Sequence, residues 1–132
     1  MASYPYVDLG SEIPPIPILP IESWTPGLSG QLGIATQAIL DTGSDCTLVP
    51  LDILMQVKAR AIDRALRIPV CGELVLAVPY AVGLKFDRYE ISSCVVLGCV
   101  GSAIEDTVIL GRDVMRRYRI EFDGVRSVFE VF

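Results

Sequence analysis

Ala38-Ile39-Leu40-Asp41-Thr42-Gly43-Ser44-Asp45 is an apolar run that ends abruptly in an acidic turn broken by glycine. Upstream, residues 31–40 are apolar apart from Gln31, Thr36 and Gln37, which predicts a strand buried on both faces. Gly43 ends that strand and lets the backbone come close to another group. Asp41 is thereby held at the tip of a hydrophobic strand. A buried, unpaired carboxylate is costly, so Asp41 must face a cleft, a partner or a second acid. By itself, Asp-x-Gly is also ordinary turn chemistry, in which the Asp side chain caps its own backbone.

A second segment adds to this reading. Val108-Ile109-Leu110-Gly111-Arg112-Asp113 is another aliphatic run ending in glycine, and Val114-Met115-Arg116-Arg117-Tyr118 follows it. Together the two segments resemble the active-site elements of aspartic proteases, in the single-domain, retropepsin-like branch. The resemblance spans about Ile16 to the C-terminus and is specific at these two segments. In viral members an Arg follows the second glycine and pairs with an Asp beyond the catalytic one; here these positions are Arg112 and Asp45.

Composition sets the frame. At 132 residues, 52% hydrophobic and 20% charged, the chain is one domain, more apolar than a small monomer needs, which favours a buried subunit interface. A net charge of −5, with no basic run longer than Arg116-Arg117, argues against nucleic acid as a partner. The longest apolar stretch, Leu74 to Leu84, contains Pro79 and falls short of the ~20 residues that span a bilayer. The first residues show neither a basic start nor an apolar core of a secretory signal, so a cytoplasmic location is expected. The absence of histidine removes Ser-His-Asp and Cys-His catalysis and most zinc sites. Cys46, Cys71, Cys94 and Cys99 form no Cys-x-x-Cys pair and are expected as buried free thiols, with Cys94 and Cys99 on opposite faces of one strand.

Along the chain, residues 1–15 read as an extended N-terminal arm, and 16–132 as the domain proper. Ile16 to Ile21 alternates aliphatics with prolines, which suits an edge strand or one paired on a single side. Trp24 to Gly30 reads as a turn cluster. Thr47 to Val49 is a short strand, and Pro50 opens a helix with Leu51, Leu54 and Lys58 on one face. Residues 59–66 fit either helix or strand. Ile68 to Glu73 is an interruption. Leu74 to Val78 and Tyr80 to Phe86 are separate strands around Pro79, Asp87-Arg88-Tyr89 is a turn, and Glu90 to Leu97 returns. Asp106 to Leu110 is the second motif strand. Arg119 to Phe122 and Val125 to Val131 form a hairpin about Asp123-Gly124. Short strands with one or two short helices indicate a mostly β, closed, barrel-like domain.

The resemblance implies more than the pattern does. Only one Asp-Thr-Gly is present, in a chain about half as long as two-lobed members, so one chain would supply one Asp of a dyad and a C2 homodimer the other. The activity implied is an aspartic endopeptidase acting on peptides at acidic pH, inhibited by pepstatin-type compounds, without metal or cofactor. Asp41 would be the shared acid and base. Thr42 would bond across the dimer axis, the Gly43 carbonyl would hold the substrate main chain, and the Ser44 hydroxyl would donate towards the dyad. Asp45 would pair with Arg112 in a buried ion pair and cap the substrate backbone, while Ile109 would line a subsite. The family's flap hairpin falls about Pro69 to Gly72, with Gly72 as its single glycine, and the C-terminal hairpin would build the dimer interface. The alternative is a non-catalytic peptide-binding module on the same fold. A cation site at Asp41 and Asp45 has no further acidic cluster near either motif to complete it.

Overall fold

The computed structural model describes residues 2–10, 12–28, 33–70, 72–99 and 107–132. Ten strands and two short helices follow in the order β1 (Ala2–Pro5), β2 (Ile18–Trp24), β3 (Ile34–Leu40), β4 (Leu48–Pro50), α1 (Leu51–Gln56), β5 (Leu66–Val70), β6 (Glu73–Phe86), β7 (Tyr89–Cys99), β8 (Val108–Leu110), α2 (Arg112–Met115), β9 (Ile120–Asp123) and β10 (Val128–Val131). Six of them close a barrel in the order β2-β3-β8-β4-β7-β6, and β2 returns to β6 through Glu22–Trp24 against Gly83–Lys85. The fold is therefore mostly β and barrel-like.

Barrel closure depends on Gly83. It faces Trp24 across the ladder, beside an irregularity in register between Val82 and Leu84, and any side chain there would collide with the indole ring. Glycine at such a bulge allows one strand to cross close over another. Trp24 is thus the last residue of β2, not part of the turn cluster expected from Pro26 and Gly27.

Prolines sit where the ladder spares them a donor. Pro20 faces Gln37 on β3, while β2 gains its second neighbour only from Glu22 onwards. Pro69 lies within β5, which is the edge of the sheet, so residues 68–70 are strand rather than interruption. Pro79 does not divide β6. It pairs with Leu97 of β7, beyond the point where β5 ends at Leu66 opposite Ala77, and β6 continues unbroken to Phe86.

The core has two parts. The larger fills the barrel with Leu19, Leu40, Val49, Leu54, Val82, Leu84, Val96, Leu110 and Phe129 among others. A smaller cluster of Leu48, Val70, Val75, Ala77, Leu97 and Cys99 lies under the β5–β6 hairpin. Strand β7 contributes to both, with Cys94 in the first and Cys99 in the second, as the odd spacing of the two cysteines predicts. Burial pushes the Cys94 thiol up to about 11, so it stays protonated at neutral pH. Cys71 lies outside the described residues. Strand β3 is buried only at Ala38 and Leu40, and Ala35 and Gln37 reach solvent, so burial on both faces does not extend along the run.

A separate sheet, β1-β10-β9, joins the two ends of the chain. Ala2 to Pro5 pair with Val131 to Val128, and Tyr4 stacks on Phe129 at 5.2 Å between ring centroids. Residues 2–5 are thus extended and docked on the chain's own C-terminal hairpin. That hairpin turns through residues 124–127 instead of Asp123-Gly124 alone, because Val128 pairs with Asp123 and Ser127 takes a left-handed φ of 53°. Asp123 caps the turn through the Arg126 amide (3.0 Å) and guanidinium (2.7 Å), which lowers its carboxyl below the usual range.

Candidate active site

Asp41 stands immediately after β3, where β3 and β4 part and β8 runs between them. Strand β8 pairs parallel with β3 (Ala38 with Val108, Leu40 with Leu110) and meets β4 at Leu48 opposite Ile109. The two sequence motifs are therefore adjacent strands, and the loop between residues 41 and 47 arches over the end of β8.

That loop is fixed along its whole length. The Asp41 amide donates to the Leu110 carbonyl (3.0 Å), and the Arg112 amide donates to the Ser44 carbonyl (2.9 Å). Within the loop, the Gly43 amide donates to Asp41 Oδ1 (2.9 Å) and the Ser44 amide to the Asp41 carbonyl (3.1 Å). The Asx turn is present, and it orients the same carboxylate that the sequence singles out. Gly111 is required sterically: a Cβ there would strike the Cys46 carbonyl and press on that of Ser44.

Arg112 reaches back over the loop. Its guanidinium donates to the Thr42 carbonyl (2.8 Å) and pairs with Asp45. This brings together the two residues expected to pair, but not as a buried pair. The side chains are 54% and 80% exposed in the single chain, where such pairs contribute roughly 0–1 kcal/mol.

The Ser44 hydroxyl also departs from expectation. Its one proton goes to the Cys46 carbonyl at 2.7 Å, within the loop, rather than towards Asp41. The tight turn places the carbonyl two residues on within reach of the hydroxyl. Cys46 itself is exposed rather than buried, and its thiol is raised by partial burial and by the nearby carboxylates of Asp113 and Asp45.

The strongest tether was not read from the sequence. Thr47 is fully buried, and its amide and hydroxyl donate to the two oxygens of Asp113 (3.1 and 2.8 Å). The Thr47 hydroxyl in turn accepts from the Gly111 amide (3.1 Å). Asp113 Oδ1 also accepts from the Val114 amide (2.8 Å) in the first turn of α2. A polar residue opening a strand and an acid in the first turn of a helix were the available signals, yet nothing local links positions so far apart.

Beside the loop lies a cleft of about 260 Å³, walled by Gly43, Ser44, Asp45 and Cys46 on one side and by Ile68 and Pro69 of β5 on the other. Leu48 and Leu97 form its floor. The β5–β6 hairpin occupies the expected flap position, with Gly72 in the left-handed region at its tip (φ 81°) and nothing within 4 Å of a side chain placed there. Ile109 is half-buried against the smaller core cluster and is not a wall of this cleft; Leu48, Ile68 and Leu97 take that place. Asp41, Thr42, Gly43 and Asp45 are exposed, and no hydrogen bond to Asp41 Oδ2 occurs among the described residues. No group of three or more metal-ligating side chains occurs among the described residues.

No protein-family model and no curated protein matches this sequence. Solved structures do match. The EIAV protease, determined in complex with the inhibitor HBY-793, is 19% identical, with 83% of this chain and 93% of that one aligned at a TM-score of 0.57. A retropepsin-like aspartic protease from Rickettsia conorii is 10% identical, with 86% of this chain and 87% of that one aligned at a TM-score of 0.54. The chain has a retropepsin-like fold.

Proposed function

We propose that this chain is one subunit of an aspartic endopeptidase that is complete only as a C2 homodimer. The observation that carries the reading is the state of Asp41: an exposed carboxylate on a rigid loop, with one oxygen oriented by Gly43 and the other open. The neighbouring acids are otherwise engaged, Asp45 with Arg112 and Asp113 with Thr47. In this reading the second acid comes from a second copy of the chain, and a two-fold axis through this region would supply it.

Two carboxylates in contact share a proton, because both cannot ionise easily at once. The ionised one takes a proton from a water held between them, and the water oxygen attacks the peptide carbonyl carbon. The protonated one gives its proton to the amide nitrogen as the C–N bond breaks. In this scheme Thr42 stiffens the paired loops. The Gly43 carbonyl and Asp45 position the substrate main chain, and the hairpin ending at Gly72 folds over it. The cleft of Leu48, Ile68 and Leu97 suits an apolar side chain.

Support for a subunit surface comes from the terminal sheet. Phe122, Val125 and Phe132 of the β9–β10 region are exposed, Val125 almost completely. Peptide binding without hydrolysis is the second reading, favoured by a cleft that exists in the single chain without a second acid. Denatured casein with the purified protein at acidic pH, with and without pepstatin, and sedimentation of the same samples, separate the two. Pepstatin-sensitive cleavage by a dimer, lost in Asp41→Ala, is expected; a dimer that binds peptide and never cleaves it would establish the second reading.

A further inference from the structure

A larger cavity, about 550 Å³, lies away from the Asp41 loop, at the base of the β5–β6 hairpin. Its walls are the turn after β2 (Pro26, Leu28), the segment that follows α1 (Lys58, Arg60), the approach to β5 (Ile62), and Ala81 of β6. These parts are held together independently of any ligand. The buried Thr25 hydroxyl donates to the Val57 carbonyl, joining the turn to the helix end, and the Ile62 amide donates to the Pro79 carbonyl (2.9 Å).

The cavity combines apolar walls with two cations. Leu28 and Ile62 are large apolar side chains, 39% and 51% exposed. Lys58 and Arg60 flank them, and neither is in an ion pair among the described residues, in a chain of net charge −5. Asp63 is the acid next in sequence, and its carboxylate accepts from the Arg64 amide (2.7 Å). Lys58 also occupies the position after the helix where φ is +56°, a conformation glycine adopts without cost and a lysine does not. A volume of this size lies within the range of small-molecule sites, which pair apolar walls with a few fixed charges.

We propose that this cavity is a second binding site, for a small amphipathic carboxylate whose aliphatic body lies on Pro26, Leu28, Ile62 and Ala81. Its carboxylate is held by Arg60, whose planar fork matches two oxygens, and by Lys58. The ligand would bridge the turn after β2 to the segment entering β5, and so fasten the base of the hairpin. The site stands on residues separate from the Asp41 loop and does not depend on the proteolytic reading.

Octanoate is the probe, with octanol as its uncharged counterpart, in amide NMR titrations of the whole chain. The expected result is saturable octanoate binding with shifts grouped at residues 25–28, 58–62 and 81. Affinity should fall at least ~10-fold in Lys58→Gln/Arg60→Gln, and octanol should bind the native chain more weakly than octanoate. Both substituted side chains are exposed, and matching circular dichroism spectra check that the variant folds. No binding, binding that the double variant leaves unchanged, equal binding of octanol, or shifts confined to the Asp41 cleft would each overturn the proposal.

Discussion

The Asp41 loop and the β5–β6 hairpin face each other across one cleft, and they are built in opposite ways. The loop is exposed but immobilised: backbone bonds to Leu110 and Arg112, the Arg112 guanidinium and the Thr47–Asp113 pair hold it at both ends and in the middle. The hairpin is tied only along its base and inner face. Leu74 and Leu76 project to solvent, and among the described residues no atom lies within 4 Å of a Cβ placed at Gly72. A tightly tethered element that presents a carboxylate faces a more sparsely packed one, a division that the proposed binding of an extended chain would use.

That contrast can be broken most severely at the loop. Gly111→Ala should destabilise the fold by about 3 kcal/mol, since the new methyl group meets carbonyls that cannot move without releasing the loop. Thr47→Val should lose ~1–3 kcal/mol, because the buried Gly111 amide loses its acceptor while Asp113 keeps the amides of residues 47 and 114. Urea denaturation measures both, and a loss below 1 kcal/mol in each would mean that the loop is not held as described.

An intermediate effect is expected from Arg112→Ala. The exposed ion pair with Asp45 is worth little, so its cost of about 1 kcal/mol should come mainly from the Thr42 carbonyl bond. Asp45→Asn, which keeps that bond, should then cost less in the same urea experiment. Equal losses would assign the effect to the ion pair instead.

On the hairpin, Gly72→Ala should cost roughly 1 kcal/mol, through its left-handed backbone and not through any contact. Hydrogen exchange should quicken in β5 and β6 while the Asp41 loop keeps its protection. Quickening of both would show that the two regions are one cooperative unit.

The smallest effect concerns the terminal hairpin. The Arg126 guanidinium and amide lower the Asp123 carboxyl, so Asp123 stabilises the fold above the ordinary carboxylate range, near ~3.9, and this contribution disappears as pH falls through its lowered value. Arg126→Ala should therefore reduce the melting temperature slightly at neutral pH and not at all at strongly acidic pH. A difference that persists in acid would point to a packing role for the arginine stem.

Much of the barrel was legible because it is written in local pattern. Apolar runs, Asp-Thr-Gly and Val-Ile-Leu-Gly mark strands and turns whose chemistry is complete within a few residues. The parts that were not legible depend on neighbours distant in sequence. Pro69 and Pro79 look like breaks, but an edge position and the end of β5 remove the need for their missing N–H groups. Trp24 reads as a turn residue because nothing near it announces Gly83 as its partner. The hydroxyl of Ser44 could have served either the acid or its own turn, and only the geometry of residues 44–46 selects the latter. The Thr47–Asp113 bond joins the two motifs, and no periodicity reports a pairing of that kind.

The central claim is that Asp41 works only beside its own copy, and mixing tests it most directly. Native protein is combined with an equal amount of Asp41→Asn, allowed to exchange subunits, and assayed on one peptide. If each active site takes one Asp41 from each chain, mixed dimers are inactive. The rate should then fall to about half that of the same amount of native protein alone. An unchanged rate would show that a single chain carries a complete active site, and would contradict the shared dyad.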